Sequence, residues 1–417
     1  RLGKIFVERI VRTSPALLAG FLIALSLYAA LFTTWFKFKW GFFEIYRETL
    51  SYWWGQHQEH RLKGPFHYYM FRILVYETLP LLLVLFGGGW AIVRRWRPLS
   101  LFILGLCISI FSVRLGLHYY PFDYAWADKH LHMTAPWHLY TASIIAWSSL
   151  FLSTHFVLRG ERLRAFFVWW TLFSLLEYSY AGEKVPWIGV HITAPLILWA
   201  GLEFGHLFKS IRSLSNRYVR LILSFALTAI CLALFVRHAQ MAVEVSFERP
   251  TDPGEMLVYN HTMPEIKDVV KEIDEIAEKT NQGKKLPMTV TGEVAWPMNW
   301  YLRHYARYLL PKPIATADDY IILMNEDERS KTPRQFEEYS IRKVGLRQAW
   351  VPETWDLSAM WQSLIRPKAD DSITAEGRRD WAEFWRYFWK REPWLKEGEK
   401  ELSEPYSVLF LVRKDLK

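Results

Sequence analysis

Seven stretches of this 417-residue chain are apolar over nearly the length a helix needs to cross a bilayer, about 20 residues each. They lie near Pro15–Phe36, Met70–Val93, Leu99–Leu117, Pro136–Leu158, Ala165–Ala181, Pro186–Phe208 and Val219–Val236. Leu99–Leu117 and Val219–Val236 are the shortest. The first is too long for a cleavable signal peptide and has no small-residue cleavage site. The expected fold class is a polytopic α-helical membrane protein, with about seven transmembrane helices over residues 1–240. A soluble extracytoplasmic α/β domain is expected over 241–417.

Charge separates these two parts. Residues 1–240 carry 24 Lys and Arg against 11 Asp and Glu, whereas residues 241–417 carry 27 against 31. The excess of positive charge belongs to the apolar part, where it marks membrane orientation and argues against a nucleic-acid partner. A disulfide scaffold is excluded as well, because the two cysteines, Cys107 and Cys231, lie within apolar runs. The segments 1–14, 94–98, 159–164 and 209–220 hold 14 cations in 37 residues, Arg164 among them. The alternate segments 37–69, 118–135 and 182–185 hold 7 in 55. The positive-inside rule then puts the N-terminus of the chain in the cytoplasm and residues 241–417 outside the cell membrane.

The outer connections are crowded with titratable and aromatic groups. Trp53-Trp54-Gly55-Gln56-His57 leads to Glu59, His60 and Arg61, while His118, Asp123, Asp128, His130 and His132 share the second. Belt aromatics explain most of the Trp and Tyr. They do not explain titratable groups gathered on one side, which point to an outward-facing cavity.

Beyond residue 240 the pattern predicts strands at Met256–Tyr259, Pro287–Thr291, Tyr320–Met324, Glu338–Val344 and Ser407–Arg413. A capping box at Thr262-Met263-Pro264-Glu265 opens a helix running to about Lys279. Trp296–Tyr305 and Gly377–Lys390 read as aromatic helices, and 366–376 as a loop. Strand, helix, strand in this order predicts a small parallel sheet. No Gly-rich phosphate loop follows a strand, and no cofactor is expected.

Three segments carry a resemblance. They are Trp53-Trp54-Gly55-Gln56-His57 with Arg61 and Gly64-Pro65-Phe66-His67-Tyr68-Tyr69; Tyr178-Ser179-Tyr180-Ala181-Gly182-Glu183-Lys184-Val185-Pro186-Trp187 with His191; and Trp296-Pro297-Met298-Asn299-Trp300-Tyr301-Leu302-Arg303. From about Tyr52 onward the chain resembles flippase-activity-associated membrane proteins of bacteria and archaea. Those are similar to the protein O-mannosyltransferase and aminoarabinose-transferase branch of GT-C glycosyltransferases. The resemblance implies transfer of a sugar from a polyprenyl-phosphate carrier on the outer face, with His57, Arg61, His67, Trp187 and His191 near the substrate. It also implies an acidic motif after the first helix. Here that loop offers Glu44 and Glu48 but no such motif, so the motif is expected upstream of Arg1.

Such a reaction needs a base at the acceptor hydroxyl and cations at the departing phosphate. Arg72, Arg114 and Lys184 are the candidate cations; headgroup snorkelling is the alternative for each. Glu183, Glu177 and Asp128 are the candidate acids. A metal is not expected from the separated pairs His57/His60 and His130/His132, which no cysteine assists. Trp296, Trp300 and Tyr301 either stack on sugar or, more commonly for such residues, form domain core. The expected partners are a polyprenyl-phosphate-linked sugar and membrane lipids. Two other roles stay open: a non-catalytic partner of a lipid-linked-oligosaccharide flippase, and a structural subunit of a larger membrane assembly.

Overall fold

A computed structural model describes residues 15, 18–31, 33–38, 40–56, 66–93, 96–120, 136–252, 254–306, 319–332, 336–348, 357–366, 371–392 and 406–416, with isolated positions between 122 and 133. The chain divides into two compact units, residues 1–61 with 181–183, and residues 62–180 with 184–417.

The first unit contains α1 (Leu18–Leu31), an apolar helix shorter than a span, and α2 (Gly41–Gln56). The expected span to Phe36 stops early because Thr34, Trp35 and Phe36 take positive φ of 51°, 56° and 65°. The Thr33 hydroxyl accepts the Phe36 N–H at 2.8 Å and fixes this turn.

In the second unit, α3 (Tyr68–Tyr76) and α4 (Thr78–Val93) meet at a 95° bend. The single span expected from Met70 to Val93 is therefore broken. Pro80 is the cause: it has no N–H for the Tyr76 carbonyl, and its ring clashes with that carbonyl in a continuous helix. In the first turn of a new helix the same proline is tolerated. Then follow α5 (Trp96–Tyr119), α6 (Trp137–Leu158), α7 (Arg162–Tyr180), α8 (Val190–Arg212) and α9 (Arg217–Val243). A π-helical turn, Glu244–Glu248, extends α9, and a 3₁₀ turn, Pro186–Gly189, precedes α8.

Among the described residues four helices are long and apolar enough to cross a membrane: Pro98–Tyr119, Trp137–Leu158, Pro186–Arg212 and Arg217–Glu248. The bent α3–α4 pair makes a fifth if it counts as one span. The α7 segment is helical as expected but carries Arg162, Arg164 and Glu177 and falls short in apolarity. These helices expose Leu104, Ile108 and Phe111 on α5 and Ile222, Phe225 and Phe235 on α9, as a lipid-facing surface requires. Inside, Tyr68, Tyr69, Phe156, Val168, Ile192, Leu196 and Trp199 form a core joining α3, α6, α7 and α8.

The C-terminal region carries β1 (His261–Thr262), α10 (Glu265–Lys279), β2 (Met288–Val290), α11 (Ala295–Tyr301) and β3 (Ile321–Met324). It continues with α12 (Glu326–Lys331), β4 (Tyr339–Gln348), α13 (Leu357–Ile365), α14 (Ser372–Lys390) and β5 (Tyr406–Arg413). The five strands run in the order β1-β4-β5-β3-β2. Only β2 and β3 are parallel, so the sheet is mixed where a parallel one was expected. The reason is β5, which inserts antiparallel between β3 and β4 and pairs Ile321 with Val412 and Ile341 with Leu411. One face of α10, with Ile266, Val269 and Ile273, packs on the sheet.

Three local expectations are corrected. Met256–Tyr259 is not a strand; Met256 is buried against Phe71 and Tyr387, and its N–H donates to the Tyr387 hydroxyl at 3.1 Å. Pro264 occupies the N-cap of α10 and makes no side-chain cap; ahead of α12, Glu328 Oε2 instead accepts the Asn325 N–H at 3.3 Å. The 366–376 stretch is not all loop, because Asp371 accepts the Thr374 N–H at 2.7 Å and starts α14.

Candidate functional site

Two of the segments singled out in the sequence converge on one place. The Tyr69 hydroxyl, in the first turn of α3, donates to the Val185 carbonyl at 3.1 Å, so that α3 and the turn before α8 are tied together. One helical turn on, Arg72 is 5% exposed. Its Nη1 donates to the Tyr68 carbonyl at 2.8 Å, and its Nε and Nη2 to the Met256 carbonyl at 3.3 and 3.2 Å. The guanidinium lies 3.4 Å from the centroid of the Tyr68 ring. These contacts hold the Arg72 side chain in a single orientation.

Beside it is a cavity of about 210 Å³. Tyr69, Arg72, Tyr76, Glu77, Trp187 and Thr193 supply its polar groups, and Ile73, Val190, Ile192 and Leu257 its apolar walls. Trp187 is 58% exposed and meets Tyr259 edge to face at 4.8 Å. The 95° bend after Tyr76 places Glu77 on the lining beside Arg72, Ile73 and Tyr76 of α3. Tyr76 donates to Glu255 Oε2 at 2.8 Å, and Glu255 pairs with Arg249 at 2.7 Å, so the C-terminal region closes one side.

Lys184 does not face open space. It is fully buried, and its Nζ donates to the carbonyls of Tyr178 and Ser179 at 2.9 and 2.7 Å, capping the C-terminal end of α7. Burial lowers its pKa to about 7. His67, in the turn before α3, and His138, in the first turn of α6, are buried with ring centroids 6.0 Å apart. None of their four ring nitrogens has a hydrogen-bond partner among the described residues. Burial first, and then the charges of His138, Arg72 and Lys184, depress the His67 pKa to about 3. The imidazole is thus a neutral, polar group at working pH.

The remaining candidates are dispersed. Glu177 and Arg114 are exposed, and His191 is exposed with its ring stacked on Tyr178 at 5.6 Å. Glu183 is buried and belongs to the first unit. His57, Arg61 and Asp128 lie outside the described residues, as do His60, His130 and His132. Trp296 and Trp300 are 63% and 66% exposed, so the core reading fails for them; Pro297, Met298 and Leu302 turn inward instead.

Sequence reasoning missed Glu77, His138 and Glu203. Arg164, counted there as one more cytoplasmic cation, is buried: its guanidinium is bidentate on Glu203, with Nε to Oε1 at 2.5 Å. Trp199 Nε1 also donates to Glu203 Oε1, at 2.8 Å. Both glutamates interrupt apolar runs, and that alone is a signal for an engaged carboxylate.

The fold and site define a class: a bundle of membrane-length helices followed by a small mixed sheet, with a largely apolar cavity between α3, α8 and Leu257 that Arg72 and Glu77 border. Comparison of the chain with protein-family profiles, curated proteins and solved structures finds no match.

Proposed function

We propose that this is a membrane glycosyltransferase-like protein that holds a polyprenyl-phosphate-linked sugar in the Arg72–Trp187 cavity. The observation that supports this reading is convergence. Segments 66–69 and 184–187, which carry the resemblance, are 116 residues apart at the Tyr69–Val185 hydrogen bond and border the same cavity. The cavity also has the chemistry the substrate needs. Arg72 is a fixed cation for phosphate, the exposed Trp187 ring is a face for a sugar, and Ile73, Val190 and Ile192 suit the first isoprene units. Glu77 is the carboxylate on the lining and takes the place first given to Glu177, Glu183 or Asp128. In transfer, the acceptor oxygen bonds to the anomeric carbon as the bond from that carbon to the phosphate oxygen breaks. Glu77 receives the acceptor proton and Arg72 balances the departing phosphate. The same reading has seven crossings, a cytoplasmic N-terminus and an extracytoplasmic C-terminal region, on the charge alternation of the connections.

The test is binding of a short-chain polyprenyl phosphate to the purified full chain. Trp187→Ala and Arg72→Lys should each weaken it about tenfold or more, as loss of a stacking face or a charge-assisted hydrogen bond does. Arg162→Gln, an exposed cation at the opposite end of α7, should change it little. Equal losses from all three would show bulk attraction of an anionic lipid and end the proposal. Glu77→Gln should keep binding and lose transfer. Binding without any transfer by the unmodified protein would favour the flippase-partner reading.

A further inference from the structure

A second cavity, of about 350 Å³, lies at the C-terminal end of α9 under the last turn of α14. Arg237, Arg249, Lys390 and Arg391 line it, with Glu244 and Glu248. Two of these cations are already neutralised. Arg249 pairs with Glu255 at 2.7 Å and with Glu244 at 3.8 Å, and Lys390 lies 3.9 Å from Glu392. Arg237 and Arg391 make no ion pair among the described residues. The Arg237 Nη2 donates to the Phe388 carbonyl, and its guanidinium lies 5.0 Å from the Trp389 ring centroid. Arg391 is 8% exposed and lies over the rings of Tyr76 and Tyr387 at 4.7 and 5.2 Å. Its Nη2 donates to Met241 Sδ, the Tyr387 hydroxyl and the Glu255 carboxylate also interact with its charge, and its Nη1 has no hydrogen-bond partner among the described residues. A buried guanidinium with an idle donor and no ion pair is expensive unless an anion completes it.

The position of the cavity says where that anion comes from. It caps Arg217–Glu248, the longest of the membrane-length helices. Next to it, α13 and α14 expose Trp361, Leu364, Ile365, Trp385 and Trp389, an aromatic and aliphatic edge of the kind that seats at the bilayer interface. We infer that the α9–α14 cavity is a binding site for the phosphate of an anionic phospholipid, with Arg237 and Arg391 as its ligands and Trp385 and Trp389 resting in the headgroup layer. The site has its own lining, meets the Arg72–Trp187 cavity only through the Arg391–Tyr76 contact, and does not depend on that cavity's assignment.

The experiment reads retention of phosphatidylglycerol by the purified full chain in native mass spectrometry, against phosphatidylcholine and inorganic phosphate at equal concentration. Phosphatidylglycerol should bind saturably, and Arg237→Gln and Arg391→Gln should each weaken it about tenfold. Neither substitution removes the ion-pair partner of a carboxylate. Arg237→Lys, which keeps a cation and a donor, should retain most of the binding, and Arg162→Gln should have no effect. Equal retention of phosphatidylcholine, or equal loss in Arg162→Gln, overturns the site. Retention of inorganic phosphate that displaces the lipid one for one overturns the lipid as its source.

Discussion

The buried pair between Arg164 and Glu203 offers the sharpest check on the bundle. Their side chains are 5% and 0% exposed, and both lie among helices long enough to sit in a bilayer. Glu203→Leu removes the carboxylate while keeping volume. It leaves Arg164 with Glu161, at 2.8 Å and partly solvated, as its ion-pair partner among the described residues, beside the Gly87 carbonyl and the Phe156 ring, and leaves the Trp199 N–H without its acceptor. Breaking a buried pair from one side costs about 3–5 kcal/mol, and a stranded indole N–H about 1–3 kcal/mol. Glu161 offsets part of this, so a net loss of roughly 3–5 kcal/mol is expected. Equilibrium unfolding of the purified protein in detergent measures it. The double variant Arg164→Met/Glu203→Leu should recover the part of the loss due to the unpaired guanidinium, because Glu161 keeps Arg159 at 3.3 Å and only the Trp199 N–H stays stranded. A single variant within about 0.5 kcal/mol of the parent, or a double variant no better than the single, would refute the pairing.

Other consequences follow from close contacts, titration and sidedness. A Cβ at Gly377 would stand 1.9 Å from the Ala359 carbonyl oxygen, a backbone atom that cannot move aside; Gly377→Ala should cost about 3 kcal/mol or more and expose the α13–α14 pair to limited proteolysis. His67 has a folded pKa of about 3 against about 6.5 in an unfolded chain, so between those values only the unfolded chain binds the proton. Stability should therefore fall as pH drops below about 6.5, by up to about 2 kcal/mol at pH 5, and His67→Phe should flatten that slope in thermal unfolding. On intact cells, with Cys107 and Cys231 replaced, an impermeant maleimide should label Asn281→Cys and spare Ser215→Cys; the reverse pattern would overturn the orientation.

Hydropathy accumulates along a continuous stretch of chain, which is why α5, α6, α8 and α9 were legible from the sequence to within a few residues at most ends. The α9 segment is the exception, since it runs on from Val236 to Val243 as the chain leaves the apolar run. The break at Glu77 was written in Pro80 but hidden by the apolar residues on both sides. Strands β2, β3 and β5 were legible for the same local reason, whereas their order was not. Insertion of β5 between β3 and β4 depends on pairing across about 90 residues of chain. The site belongs to the same category. Arg72 finds the Met256 carbonyl 184 residues away, and Arg164 finds Glu203 across 39. A local pattern can show that a charge lies in an apolar run and must be satisfied. Which partner satisfies it, and so whether a lysine such as Lys184 faces a ligand or caps a helix, is decided only when distant segments are packed together.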